Sequence, residues 1–472
     1  MARINTNIGA VVAQRHLARS SNQLNATIQR LASGLRITRG ADDPAGLIVS
    51  ERLRSEISAV SQAIANTQRA SNIIATTEGA LDEVARLLND IQDLVIEAAN
   101  EGAFSEDEIK ANQLQVDSAI ASITRIANST TFAGRQLLNG SLDYITGGVD
   151  YSVITTLDIH KAQFGTRDYI PVTVEVVASA QPATLYYNAS SVSNSVSIEL
   201  QGNAGATTLS FPSGTTAADM VEAINAVSDA TGVVASATAS GFVMRSEHLG
   251  SRQFVSVNVL PGSGSFDTQD ETGATTPRDE GRDATALING ALSMGDGNKL
   301  TLKSSTLDIE LALVESFGLG TTSFAITDGG SLFQVGPQVN TNLQVNIGVQ
   351  SVAASRLGNS EVGFLSQIQT GGPYSLIAGE YGQAQKIITE ALRQVSVLRG
   401  RLGAFEKNTL DTNVNQLSIT LENLMSAESV IRDADYAYET SQLTRDQILV
   451  NAGTAVLALA QQSSQNVLRL LS

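Results

Sequence analysis

The sequence predicts an α+β, multidomain protein: a long coiled-coil helical bundle built from both termini, with a β-rich central insert. Apolar residues recur every three or four positions near each end of the chain, and every second position between about Leu142 and Gly358. Only 4% of residues are aromatic, none is tryptophan, and 16% are charged. Packing therefore falls to alanine, serine, threonine, glycine and small aliphatics, whose thin cores suit long helices. At about 150 residues per domain, 472 residues suggest roughly three domains.

The first strong seam begins at Leu53 and runs through Ile57, Val60, Ile64, Ile74, Leu81, Val84, Leu88, Ile91, Val95 and Ala98. That is coiled-coil spacing. Its start signal is Asp42-Asp43-Pro44, with Asp43 and Pro44 as the helix cap: the carboxylate covers free amides, and proline suits the first helical position. Asn100-Glu101-Gly102 should stop it. A helix from Pro44 to Ala99 would be about 85 Å long, so it must pack lengthwise against partners. A second helix opens at Ser105 with Glu108 three residues on, a capping box, and carries Ile109, Val116, Ile120, Ile123 and Ala127 on one side. Near the other end the period returns at Ala391, Val395, Leu398, Leu402 and Phe405. After a phase slip it resumes at Leu410, Val414, Leu417, Leu421 and Leu424. Both ends need the same kind of seam, which predicts that they pack together with the termini side by side.

The outermost segments are weaker. Ile4, Ile8 and Val11, then Leu17, Leu24, Ile28, Leu31 and Leu35, form a broken stripe, and Ile448, Ala452, Val456, Leu459 and Ala460 form another. These alanine-rich seams bury little area and would barely offset the ordering entropy. The expectation is disorder in the monomer and helix in an assembly. No other apolar surface remains to cover them, so Ile4, Ile8, Val11, Leu24, Ile28, Leu31, Ile448, Ala452, Val456 and Leu459 are predicted to contact other copies.

In the insert, Val196, Ile198 and Leu200 alternate with polar residues, the turn Gly202-Asn203-Ala204-Gly205 follows, and Thr207, Leu209 and Phe211 alternate again: a hairpin. A short helix is expected over Thr216 to Val227, and strands around Val255, Val257 and Val259 and on either side of Gly295-Asp296-Gly297-Asn298. Pro261 to Gly281 reads as an exposed loop. The predicted domains are terminal helices over 1–42 plus 430–472, a long-helix bundle with a β-hairpin over 43–175 plus 335–429, and a β-rich outer domain over 176–334.

A net charge of −17 argues against nucleic acid and anionic membrane surfaces as partners. With no cysteine, disulfides and thiolate chemistry are excluded. No cleaved secretory signal is expected, since Asn7 interrupts any apolar run after Met1, and Ile448 to Ala460 falls far short of the roughly 20 residues that span a bilayer. His16, His160 and His248 sit in three different segments, and Glu247-His248 lacks the second histidine of an H-E-x-x-H pattern. Glycines at 262, 264, 329 and 330 never precede a helix with phosphate-loop spacing. The sequence predicts no enzyme, no metal and no cofactor.

Leu31-Ala32-Ser33-Gly34-Leu35-Arg36-Ile37 followed by Ala41-Asp42-Asp43-Pro44-Ala45-Gly46-Leu47 resembles the N-terminal signature of bacterial flagellins. Arg432-Asp433-Ala434-Asp435-Tyr436-Ala437, Gln447-Ile448-Leu449, Ala452 to Ala458 and Gln465-Asn466-Val467-Leu468 resemble the other end of that family. The two matches cover about the first 140 and last 110 residues, and Val196 to Val259 is similar to a small domain of some flagellin and hook-protein variable regions. The resemblance implies a secreted structural subunit of the flagellar filament, extracellular and serving swimming motility. It implies export through the central channel without a cleaved signal and self-assembly into a helical homopolymer. The terminal helices would form the inner tube, the bundle the protofilament contacts, and the insert would face outward. Implied partners are an export chaperone, the filament cap and hook-junction proteins.

The nearest rival is a hook–filament junction protein with similar ends. A metalloprotease-bearing flagellin would need the missing H-E-x-x-H, and a free-standing coiled-coil adhesin would not explain two matched ends. Flagellins sensed by a host Toll-like receptor carry a run resembling Gln-Arg-Val-Arg-Glu-Leu. Here Asn89-Asp90-Ile91-Gln92-Asp93-Leu94 keeps the apolar pair and one acid but loses both arginines. Asp90, Ile91, Asp93 and Leu94 are thus a candidate receptor surface for which the resemblance implies weak activation.

Overall fold

The computed structural model describes residues 6–100, 102–165 and 167–471, with side chains as far as Gln462. Ile4, one of the predicted contact residues, lies outside the described residues. The α-helices are α1 (Ile8–Ser33), α2 (Pro44–Ala98), α3 (Glu106–Ser129), α4 (Ala217–Asn225), α5 (Ser228–Thr231), α6 (Tyr381–Phe405), α7 (Thr412–Arg432) and α8 (Tyr436–Leu471). The chain forms two compact units. The first holds residues 1–70, 334–343 and 407–472, and the second 71–333 and 344–406.

The helix boundaries follow local chemistry. Asn7 Oδ1 accepts the Ala10 amide at 3.0 Å to start α1, and Gly34, at φ 70°, ends it in the left-handed conformation that glycine adopts without a Cβ penalty. Asp43 Oδ1 accepts the Gly46 amide at 2.9 Å, capping α2 with Pro44 in its first turn. A Cβ at position 46 would stand 2.4 Å from Asp43 Oδ2 and 2.8 Å from Ile37 Cδ1, so any larger residue there would have to displace the capping side chain. Asp42 does different work: it accepts from Thr38 N, Thr38 Oγ1 and Arg39 N, and the Thr38 hydroxyl above all holds its carboxyl below the usual range. At α3 the capping box of Ser105 and Glu108 is formed in both directions. The phase slip between Phe405 and Leu410 is a π-helix, Glu406–Asp411, whose i→i+5 turn accommodates the five-residue step.

In the second unit the helical core is mostly aliphatic, with Thr77 of α2 and Asn112 and Gln113 of α3 as buried polar exceptions. Leu81, Val84, Leu88, Ile91 and Val95 of α2, Val116, Ile120 and Ile123 of α3, and Ile387, Ala391 and Val395 of α6 are all buried. An Arg399–Asp82 ion pair at 3.0 Å sets α6 beside α2. Gln113 of α3 donates to Ile368 O and accepts from Leu376 N, tying α3 to the segment before α6.

The same unit holds two β cores. The first is enclosed by a five-stranded sheet ordered Ala291–Leu292, Thr285–Ile288, Ile170–Ala178, Gly320–Gly329, Tyr144–Gly147, and a four-stranded sheet ordered Met294–Asp296, Lys299–Lys303, Leu307–Leu313, Ile154–Ala162. Ile159, Val172, Val174, Ala286, Leu300, Ile309 and Phe324 fill it. Position 176, where the sequence reading begins the outer domain, falls inside the strand Ile170–Ala178, and this core draws residues from both sides of it. The second core lies between a three-stranded and a four-stranded sheet and takes Met220 and Ile224 from α4. It contains the expected hairpin, paired from Val196↔Phe211 to Gln201↔Ala206.

The stretch Pro261 to Gly281 is not simply an exposed loop. Phe266 is buried and stacks on Tyr187 at 4.2 Å, and Gln269 and Tyr186 exchange backbone hydrogen bonds. One phenylalanine in a run of glycine, serine, threonine and aspartate suffices to pin the segment once a distant aromatic is there to receive it.

Candidate assembly surfaces

Within the first unit α1 and α8 run antiparallel. Asn7 Nδ2 donates to Ala460 O at 2.8 Å, Leu17 lies against Gly453, Thr27 Oγ1 donates to Asp446 Oδ2 at 3.0 Å, and Arg30 pairs with Glu439 at 3.5 Å. Beyond the helix ends, Arg36 N donates to Arg432 O and Ala434 N to Gly34 O. Both outer segments are thus helical in the single chain, against the expectation of disorder outside an assembly, because each supplies the other's missing seam. That seam is thin and polar. Its buried positions are Ala13, Thr27, Glu439 and Asp446, and Glu439 Oε2, in a residue only 3% exposed, finds no hydrogen-bond donor among the described residues. A half-satisfied buried carboxylate contributes little net stability.

The predicted contact residues divide between the two sides of these helices. Leu24 and Leu31 are half-buried and share the side of α1 that carries Thr27 toward α8. Ile8, Val11 and Ile28 are exposed. On α8, Val450, Gly453, Leu457 and Ala460 are half-buried toward α1, whereas Ile448, Ala452, Val456 and Leu459 lie exposed, Leu459 at 68%. Burying a leucine of that exposure is worth about 1.5–3 kcal/mol, so a row of such residues is an unused source of association free energy.

In the same unit α2 and α7 share a conventional seam: Val60, Ala63 and Leu417, with Ile64, Leu421 and Leu424 packed against them. Asn413 donates to Thr67 Oγ1 and Val335 O, and Arg432 pairs with Glu51 at 2.8 Å. Sequence reading missed the far side of α7, where Met425 and Val430 are exposed, and the exposed Tyr436 and Tyr438 that open α8. It missed too the carboxylates at 439 and 446. Their signal was present: two acids seven residues apart on one helix, facing Thr27 and Arg30 three apart on another.

The candidate receptor surface needs one correction. Asp90 and Asp93 are exposed and Leu94 is half-buried, but Ile91 is fully buried in the α2 core and presents nothing to solvent. It steps in phase with Leu88 and Val95, which fixes it inside. Among the described residues no group of three or more His, Cys, Asp or Glu could hold a metal ion, and no helix is long and apolar enough to cross a membrane.

Residues 4–143 match the model of the bacterial flagellin N-terminal helical region, residues 385–471 the bacterial flagellin C-terminal helical region, and residues 197–247 the flagellin hook IN motif. The chain is 30% identical to the B-type flagellin of Pseudomonas aeruginosa and 27% identical to flagellin A of Helicobacter pylori, each alignment covering 99% of both chains. Among solved structures it is similar to the flagellar junction protein FlgL of Legionella pneumophila, with 12% identity and a TM-score of 0.29 over 81% of this chain and 99% of that one.

Proposed function

The chain belongs to the bacterial flagellin family and is a structural subunit that polymerises into the flagellar filament; from that premise we propose how its surfaces divide the work. The outer helices, 1–42 with 430–472, line the inner tube. The bundle, 43–175 with 335–429, makes the protofilament contacts, and 176–334 faces outward. The observation that carries the reading is the double-sided α8: one side is used by α1, while Ile448, Ala452, Val456 and Leu459 stand in solvent, uncovered by any of the described residues. Ile8, Val11 and Ile28 offer the same on α1. Neighbouring copies cover these stripes, and the marginal α1–α8 pair lets the ends pass through a narrow channel and re-form at the growing tip.

Export without a cleaved signal, an extracellular location, and contacts with a chaperone, the filament cap and hook-junction proteins belong to this reading. So does weak activation of the flagellin-sensing Toll-like receptor, now resting on the exposed Asp90 and Asp93 with Leu94, because a carboxylate at 90 cannot supply an arginine's donor fork. Electron microscopy of purified filaments with peptide identification tests the assignment. The expected result is this chain as the bulk subunit; finding it only as a trace component at the hook would make it a junction protein instead.

A further inference from the structure

In the first unit, residues 1–41 contain six arginines and no carboxylate. By contrast 411–435 contain Asp411, Glu422, Glu428, Asp433 and Asp435 against a single Arg432, which is already engaged by Glu51. The two charges are presented in matching fashion. Ile8, Val11, Val12, Arg15 and Arg19 follow the spacing i, i+3, i+4, i+7, i+11, which keeps them on one side of α1, and all five are exposed. Ala13, Leu17, Leu24 and Thr27, which turn toward α8, lie on the other side.

On α7, Glu422, Met425, Ser426, Ser429 and Asp433 repeat the same spacing, with Val430 beside them. All but the half-buried Ser429 are exposed, Val430 at 78%, while Leu417, Leu421 and Leu424 turn toward α2. Among the described residues, no ion pair within the chain engages Arg15, Arg19, Glu422 or Asp433. The Asp433 end of one stripe cannot reach the arginines of the other within one copy. Gly34 and Ala434 are hydrogen-bonded, which sets Asp433 beside the C-terminal end of α1, whereas Arg15 and Arg19 lie 15 or more residues back along the helix, more than about 20 Å away at 1.5 Å per residue.

We infer that the Ile8–Arg19 stripe of α1 docks on the Glu422–Asp433 stripe of α7 in a second copy of this chain, a head-to-tail contact of the polymer. The occupant follows from complementarity. Each stripe combines two or three exposed apolar side chains with two unpaired charges of one sign, opposite between the stripes, and both lie on the same molecule. A contact of two different patches that is not returned by the same neighbour is heterologous, and where its rotation does not close it propagates into an open helical assembly. Complementary charge fixes which patches meet and accelerates their encounter. The inference rests on the proposal that the outer helices are assembly surfaces, and it names which surface meets which.

Elongation from filament seeds, followed by sedimentation and light scattering on the full chain, tests it. Arg15→Glu with Arg19→Glu, and separately Glu422→Arg with Asp433→Arg, should each slow elongation about tenfold or more. An equimolar mixture of the two variants should recover most of the rate, because in alternating order each reversed stripe meets a reversed partner. Arg15→Lys with Arg19→Lys should elongate nearly normally, and the unmodified chain should slow as salt screens the pair. Elongation by either charge-reversed variant within about twofold of the unmodified chain would overturn the inference, as would a mixture no better than its components. Leu459→Asp, measured alongside, separates the two levels. If it blocks elongation while the charge variants do not, this docking falls and the assembly surfaces stand; if it too elongates normally, the assembly surfaces fall.

Discussion

The α1–α8 pair and the α2–α3–α6 bundle are both helical, yet they solve opposite problems. In the bundle every inward position is an aliphatic residue with no exposure, from Leu81 through Val95 and from Val116 through Ile123. In the pair the only buried positions among the described residues are Ala13, Thr27, Glu439 and Asp446, the inward Leu17, Leu24, Leu31 and Leu457 are no more than half-buried, and the large apolar side chains Ile8, Val11, Ile448, Val456 and Leu459 point to solvent. One region is complete as a single chain. The other leaves its large apolar side chains uncovered. Helical periodicity alone does not separate these cases; which side of each stripe is filled does.

Removing the pair outright is the strongest challenge to that comparison. A chain lacking residues 1–39 and 435–472 should form no filaments at all, yet remain soluble with a cooperative helical melt by circular dichroism. Filaments from the truncated chain, or loss of its cooperative melt, would erase the distinction. Next in size, Leu88→Ala removes a wholly buried side chain from the bundle and should cost about 2–5 kcal/mol in chemical denaturation. An equal truncation at exposed Leu459 should leave the monomer's midpoint within about 0.5 kcal/mol. Similar losses at both positions would mean that the outer stripe is already covered within one chain.

A pH effect confined to the second unit sharpens the contrast further. His160 is half-buried on the strand Ile154–Ala162, its Nδ1 has no hydrogen-bond partner among the described residues, and Arg401 of α6 donates to its carbonyl at 3.2 Å. Burial first, then the positive charges of Arg401, Lys303 and Lys299, push its pKa down from 6.5 to about 4, with only Glu310 opposing. The unfolded chain therefore binds this proton more readily than the folded one, so stability declines as pH falls below about 6.5 and the loss is complete near 4. Asp143, Asp158 and Asp308, whose pKa values burial raises, act in the opposite sense, and only once the pH enters the carboxylate range. Thermal melts between pH 7 and 5 should show the decline, and His160→Gln should flatten it. An unchanged slope in the variant would assign the effect elsewhere.

The smallest expected change lies in the polar seam. Glu439→Met removes a buried carboxylate with one unsatisfied oxygen, and Arg30, a third exposed, can return to water. The α1–α8 pair should become more stable by about 1 kcal/mol, seen as slower hydrogen exchange in both helices while the bundle is unaffected. Faster exchange there would show the Arg30–Glu439 pair to be a net stabiliser.

Much of this molecule is legible in its residues because the determining interactions are local. The Asp43–Gly46 cap, the Ser105–Glu108 box, the seam from Leu53 and the Val196–Phe211 hairpin each depend on groups a few positions apart, and each forms where its spacing places it. Even the five-residue step from Phe405 to Leu410 was visible as a slip before it became a π-helix. Tertiary structure alone decided the rest. It paired Thr27 with Asp446 and Arg30 with Glu439, more than 400 residues apart, turned Leu24 and Leu31 inward while leaving Val456 and Leu459 outside, and drew Phe266 onto Tyr187. A helical period fixes which side chains share a stripe, but whether that stripe is covered depends on what the rest of the chain brings to it. A separation of hundreds of residues leaves no mark in any window of sequence short enough to read for periodicity.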